Sequence, residues 1–291
     1  MNEIKKIEKV FSRPEYPGMV GDGFRVFNYF PSGYPIREKL SPFLMLDFNP
    51  AYNFGASSKP LGVDVHPHKG FETVTIAYKG SVEHYDSSGN SGVIYPGDVQ
   101  WMTAGSGLLH KEFHEREFSK KGGLFEMIQL WVNLPKKHKL TAPKYQALSS
   151  ANMNKALLSD DAGVVNVIAG KFNGVAGSAS AFTEINMFDI HLNKNGILET
   201  NIPSNHNTAI LVVEGSATVN GKSVGTHDFI LFKNEGEEIK IEAGEESVLL
   251  LLSGEPIDEP IVQYGPFVMN TEEEIQETFK EYQAGKFGVL N

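Results

Sequence analysis

The sequence predicts an all-β fold, with two similar β domains in tandem and one α-helix at the C-terminus. Three observations predict it. Short apolar runs rich in β-branched and aromatic residues are punctuated by Gly, Pro, Asn and Asp along the whole chain, with 29 Gly and 15 Pro among 291 residues. Ile76-Ala77-Tyr78-Lys79-Gly80-Ser81-Val82 returns as Leu211-Val212-Val213-Glu214-Gly215-Ser216-Ala217, and the turn Pro96-Gly97-Asp98-Val99 returns as Thr226-His227-Asp228-Phe229. The order agrees in both halves, which is the mark of a two-fold internal repeat. Helical signal is confined to the end of the chain.

In order, Phe24–Phe30 alternates weakly and reads as a strand. Phe43–Phe48 reads as a short buried strand with one carboxylate, Asp47, in apolar company. Buried charges are usually paired, so Asp47 is expected to be a hydrogen-bonded structural group rather than a direct participant in a site. Residues 81–86 and 92–95 flank Ser87-Ser88-Gly89-Asn90-Ser91 and read as a β-hairpin; His84 is expected on its surface. Val99–Thr103 is a further strand, and residues 124–134 form the longest apolar run of this half. The polar, proline-bounded stretch 134–143 is the expected boundary, dividing the chain into domains 1–138 and 139–291. Strands resume at 163–170 and 186–192. Thr271-Glu272-Glu273-Glu274 is a capping box, Ile275, Phe279 and Tyr282 share one helical stripe, and Gly285 is placed to end the helix.

Composition excludes several functions. The formal charge is −10, so a direct grip on a phosphate backbone is not expected. The absence of cysteine removes disulfides and thiolate metal sites. No segment reads as a signal peptide or a membrane span, and a cytoplasmic, monomeric protein is the expectation.

Chemistry concentrates in two segments. In Val65-His66-Pro67-His68 the two imidazoles are two residues apart, so an extended chain aims both at one side. Gly105-Ser106-Gly107-Leu108-Leu109-His110-Lys111-Glu112 repeats the device with a His and a carboxylate after a glycine-bracketed turn. A lone His-x-His is more often structural. Two such pairs on facing strands make a three-nitrogen, one-oxygen donor set suited to Fe, Mn, Co, Ni, Cu or Zn, with room for an exogenous ligand. Glu112 could also take a proton from a phenolic substrate. Two rivals stay open: Glu72, four residues after His68, and His114, two after Glu112, each on the same face of a straight strand as its neighbour. Met45, Phe48, Trp101, Met102 and Phe113 are candidate pocket walls. Counting back from Gly80 and Gly215, His66 and His68 fall opposite Asn201 and Pro203, so one metal site is expected, in the first domain.

The stretches His66–Thr75, Asp86–Gly92, Gly97–Glu112, Glu259–Ile275 and Tyr282–Gly288 resemble the pirin family of the cupin superfamily, and the resemblance spans nearly the whole chain. The resemblance implies two tandem cupin barrels of the RmlC-like jelly-roll type, placed face to face, with metal in the first. It maps the ligands onto His66, His68, His110 and Glu112, against Glu72, and implies Fe(II) as the favoured metal. Quercetin 2,3-dioxygenase activity on a flavonol-like substrate with O2 is one implied function. The other is an iron- or redox-sensing protein that binds a protein partner. Lys111 stands where a small residue is common and is expected to narrow or charge the entrance.

Overall fold

The computed structural model describes residues 3–290 and is built mainly of antiparallel strands, with one long helix at the end. Each β unit pairs a seven-stranded sheet with a four-stranded one. In the first, the strands run in the order Lys144–Leu148, Val99–Thr103, Phe71–Lys79, Gly123–Asn133, Phe43–Phe54, Phe24–Phe30, Gly18–Val20. The facing strands are Gly62–His68, Leu108–His114, Val82–Asp86 and Ser91–Ile94. The second unit has the same plan, with Asn207–Glu214 lying between Phe229–Phe232 and the central strand Ser247–Gly254.

The repeat read from sequence extends to individual hydrogen bonds. Gly80 and Gly215 both take positive φ, 73° and 76°. Gly97 and His227 do as well, at 87° and 70°. The Gly97 amide donates to Ala77 and the Ala77 amide to Asp98; the His227 amide donates to Val212 and the Val212 amide to Asp228. Asp98 and Asp228 each accept from a backbone amide three residues back. A histidine in the left-handed region is uncommon, and the turn that glycine makes freely in the first unit imposes it in the second.

The linear partition at 138/139 is not how the chain groups. One unit comprises Met1–Arg13, Glu38–Pro42 and Asn152–Pro256, the other Pro14–Arg37, Phe43–Ala151 and Ile257–Asn291. The cause is edge pairing. Ile7–Phe11 hydrogen-bonds along Phe229–Phe232 of the second unit, whereas Lys144–Leu148 pairs with Val99–Thr103 of the first. The terminal helix Glu272–Gln283 also belongs with the first unit. Its capping box is present, Thr271 taking the Glu274 amide and Glu274 reaching back to Thr271. The segment is pinned there by the Lys69–Glu281 ion pair, by a Lys139 Nζ bond to the Val268 carbonyl and by Phe287 against Gly107.

A second helix, Arg116–Lys121, was not expected. It is six residues long, too short for a periodic stripe to announce it. The Glu115 side chain caps it by accepting from Glu117 and Phe118 amides, and Gly122 ends it.

Candidate metal centre and cavity

The first unit brings the two motifs together by register. Strand 108–114 runs antiparallel to 62–68, with His110 opposite His66 and Leu108 opposite His68. Their ring centres are 4.7 Å apart for His66–His68, 5.2 Å for His66–His110 and 5.9 Å for His68–His110. A metal–nitrogen bond of about 2 Å puts a ligand ring centre about 3 Å from the ion, so rings subtending right to tetrahedral angles there stand about 4–5 Å apart; His66 is at about that spacing from both partners, and His68 and His110 stand wider. Glu112 Oε1 lies 3.3 Å from His110 Nε2. That nitrogen nevertheless has no aligned hydrogen-bond partner, and neither does His110 Nδ1 nor His68 Nδ1. The His66 Nδ1–H donates to the Asp64 carbonyl at 2.8 Å, which leaves Nε2 as the nitrogen with a lone pair. Among the described residues no three or more His, Asp or Glu side chains form a ready-made cage. What these four share is convergence; His68 and His110 add buried ring nitrogens that the protein leaves unsatisfied.

Electrostatics agree with a cation-binding role. Burial, then the neighbouring imidazoles, holds His68 well below its usual range, and burial followed by His110 lowers His66. Burial alone would push the Glu112 carboxyl up. The His110 and His66 imidazoles and the Gln129 amide more than offset it and hold the group at about 2.

Beneath the donors, one rung of the seven-stranded sheet is polar from strand to strand. Asn28, Asp47, Gln129, Thr75 and Gln100 stand in register across five strands. Gln129 Nε2 donates to Glu112 Oε2 at 3.0 Å, and Thr75 Oγ1 stands 3.5 Å from Oε1. A cavity of about 300 Å³ opens beside them. Its polar lining is His66, His68, Glu112, Gln129 and Asp47; its apolar walls include Met45, Met127, Phe24 and Trp131, and Pro266 comes from the C-terminal segment.

Several sequence expectations are corrected by this geometry. Glu72 does not face the donors. The left-handed Gly70, φ 85°, interrupts the extended chain between His68 and Phe71, so strand parity does not carry across. Glu72 lies on the opposite face of strand 71–79 from Thr75 and accepts from Thr103 Oγ1 at 2.7 Å; burial raises its carboxyl to about 7. Trp101 and Phe48 share that opposite face. Met102 is on the cavity side but packs with Ala104, Leu108 and Tyr145 instead of lining the cavity. His114 keeps the parity of Glu112, yet its Nε2–H donates to the Gly23 carbonyl at 2.8 Å among the rings of Phe24, Phe54, Phe118 and Phe125. Lys111 and Phe113 point the other way from His110 and Glu112. They line an outer groove with Lys59, Tyr85 and Arg116, and the Lys111 ammonium sits 5.3 Å over the Tyr85 ring. Lys111 therefore does not restrict this cavity. Asp47 does line it, while also accepting from Asn28 as a structural carboxylate would.

Two neighbours of the site were missed from sequence. His84 is not on the hairpin surface: it is buried, stands opposite Glu112 and hydrogen-bonds Tyr145 at 2.6 Å. Gln129 was passed over inside an apolar run. A single amide in a central strand was the available signal, since a buried amide needs a partner.

The chain matches the family model described as Pirin over residues 23–132 and the one described as Pirin C-terminal cupin domain over 187–288. A Pseudomonas aeruginosa protein provisionally named quercetin 2,3-dioxygenase is 43% identical over 92% of this chain and 93% of its own. A pirin-like protein of Solanum lycopersicum is 36% identical over 97% of this chain and 92% of its own. The crystal structure of quercetin 2,3-dioxygenase from Acinetobacter baumannii superposes with a TM-score of 0.93 at 43% identity, covering 99% of this chain and all of that one, 100%.

Proposed function

The chain belongs to the pirin family, and on that footing we propose that it is a metal-dependent dioxygenase of the quercetin 2,3-dioxygenase type, acting on a flavonol-like substrate at the first unit's cavity. One observation carries this reading: three imidazoles and the Glu112 carboxylate converge, with ring nitrogens left without protein partners, beside a cavity that His66, His68 and Glu112 line together with Gln129, Asp47 and a mainly apolar wall. His66, His68, His110 and Glu112 would hold a divalent metal, Fe(II) in first place, with Mn, Co, Ni, Cu and Zn compatible with the same donors. A metal there would supply the O2 and one-electron chemistry that no side chain provides.

The remaining work falls to the chain. The Asp64 carbonyl fixes the tautomer and orientation of His66. Gln129 holds Glu112 through one oxygen, which leaves the carboxylate oriented to accept a proton from a phenolic hydroxyl as the substrate docks. Met45, Met127, Phe24 and Trp131 exclude water from the bound ring.

The test is elemental analysis of the isolated protein joined to an oxygen-uptake screen over flavonols. Fe(II)-loaded protein should consume O2 with quercetin, and His66→Ala should abolish this. No uptake with any first-row metal at stoichiometric loading would overturn the reading.

A further inference from the structure

We propose that Asp47 is the specificity-determining acceptor of this cavity, taking a hydrogen bond from a substrate hydroxyl at the end of the molecule away from the Glu112 carboxylate. The inference rests on the proposed flavonol-like substrate and deepens it: the ligand must be a polyhydroxylated aromatic, not merely a chelating one.

The polar rung supplies the geometry. Gln129 lies between Asp47 and Thr75 in register, and Gln129 and Thr75 are the two rung members beside Glu112. Directly opposite residues on paired strands stand about 5 Å apart at Cβ. Asp47 is therefore one strand beyond Gln129, on the side away from Thr75. Asn28 Nδ2 donates to Asp47 Oδ1 at 2.7 Å and fixes the carboxyl plane. No described group donates to Oδ2, and Asp47 lines the same cavity as His66, His68 and Glu112. Met45, Met127 and Val26 line the same cavity, and none of them can donate. A desolvated carboxylate oxygen with no protein partner is costly unless a donor reaches it. A ring anchored at the metal end and carrying a hydroxyl at the other would bring that donor. A keto, methoxy or unsubstituted edge would not.

Trp131 lines the cavity and gives a binding signal that needs no turnover; the other tryptophan, Trp101, lies on the opposite face of the sheet. Quenching is titrated without oxygen, in metal-loaded and metal-free protein, with quercetin and with the parent flavonol that carries only the chelating hydroxyl. Wild type should prefer quercetin, and Asp47→Asn should shrink that preference by about tenfold or more while leaving affinity for the parent flavonol unchanged. The amide keeps the bond from Asn28 and turns a donor toward the cavity, so the permethylated ether of quercetin should bind the variant better than wild type. An equal preference in both proteins overturns the proposal. Should Asp47→Asn fail to fold, Asp47→Ser serves in its place, and a wild-type preference near one overturns the proposal unaided. Failure of oxygen uptake removes the proposed reaction without touching this pairing; an unchanged preference removes the pairing and leaves the reaction standing.

Discussion

His84 stands directly opposite Glu112 across paired strands, its ring centre 6.2 Å from that of His110. Its Nε2 is engaged by the Tyr145 hydroxyl at 2.6 Å, and the two rings stack. Burial, followed by the His110 imidazole, lowers it to about 4, so it sits neutral behind the donor cluster. Its Nδ1 is buried without a partner, as the His110 nitrogens are, but the Tyr145 bond at Nε2 predicts that it braces the wall and does not bind metal. His84→Leu should keep one metal per chain by elemental analysis. It should lose about 1–3 kcal/mol in urea denaturation, because the Tyr145 hydroxyl is left without its partner. Loss of the metal in that variant would instead place His84 among the ligands.

Glu72 carries a pH dependence of definite sign. Its carboxyl has an ordinary value of 4.5 and is raised to about 7 in the fold, by burial above all. Between these values the folded chain keeps a proton that the unfolded chain has released. Stability therefore falls as pH rises from about 4.5 to about 7, and the loss is complete above that. The size is on the order of 3 kcal/mol. Glu72→Gln removes the dependence and keeps an acceptor for Thr103. Its denaturation midpoint should match wild type at pH 4 and exceed it at pH 8, with metal content unchanged. An equal midpoint at both pH values would show that the carboxyl is not strained by burial.

How much of this was legible in the sequence depends on the range of the interaction. The capping box at Thr271 and the His-x-His and His-x-Glu pairs are set by neighbours within a few residues, and strand or helix periodicity places them directly. Glu72 was misread because one left-handed glycine between it and His68 resets which face a strand presents. His84, Gln129 and Asp47 acquire their roles only when four strands distant in sequence come into register. No local pattern encodes that register. The grouping of Ile7–Phe11 with residues 229–232, far along the chain, was invisible for the same reason.

Lys139 illustrates the same limit and gives a third prediction. In the sequence it belongs to a polar basic stretch that reads as a linker. In the fold it is 1% exposed, and its ammonium donates to the Gly70 carbonyl, Asn133 Oδ1 and the Val268 carbonyl, all at 2.8–2.9 Å. It clasps the turn after His68 to the C-terminal segment that supplies Pro266 to the cavity. Lys139→Met fills the volume but orphans three buried acceptors. It should cost about 3–5 kcal/mol by chemical denaturation. Amide exchange in residues 267–269 should speed up first, since that segment loses its bond to the clasp. Protection there equal to wild type would mean the ammonium is not what holds the segment.

The contrast between His110 and His114 tests the donor set itself. Both project from strand 108–114 to the same side, so sequence periodicity treats them alike. His110 has two buried nitrogens without partners, whereas His114 spends Nε2 on the Gly23 carbonyl and is packed among four phenylalanine rings. Removing the first should therefore cost metal, and removing the second should cost stability. His110→Ala should weaken metal binding at least about 10-fold in a competition titration with a chelator, and its metal-free form should denature close to the metal-free wild type. His114→Phe should bind metal like wild type and lose about 1–3 kcal/mol, because the Gly23 carbonyl is left unpaired in an apolar setting. If His114→Phe lost the metal while His110→Ala kept it, the centre would lie at the other end of the strand, and the assignment of His66 and His68 would fall with it.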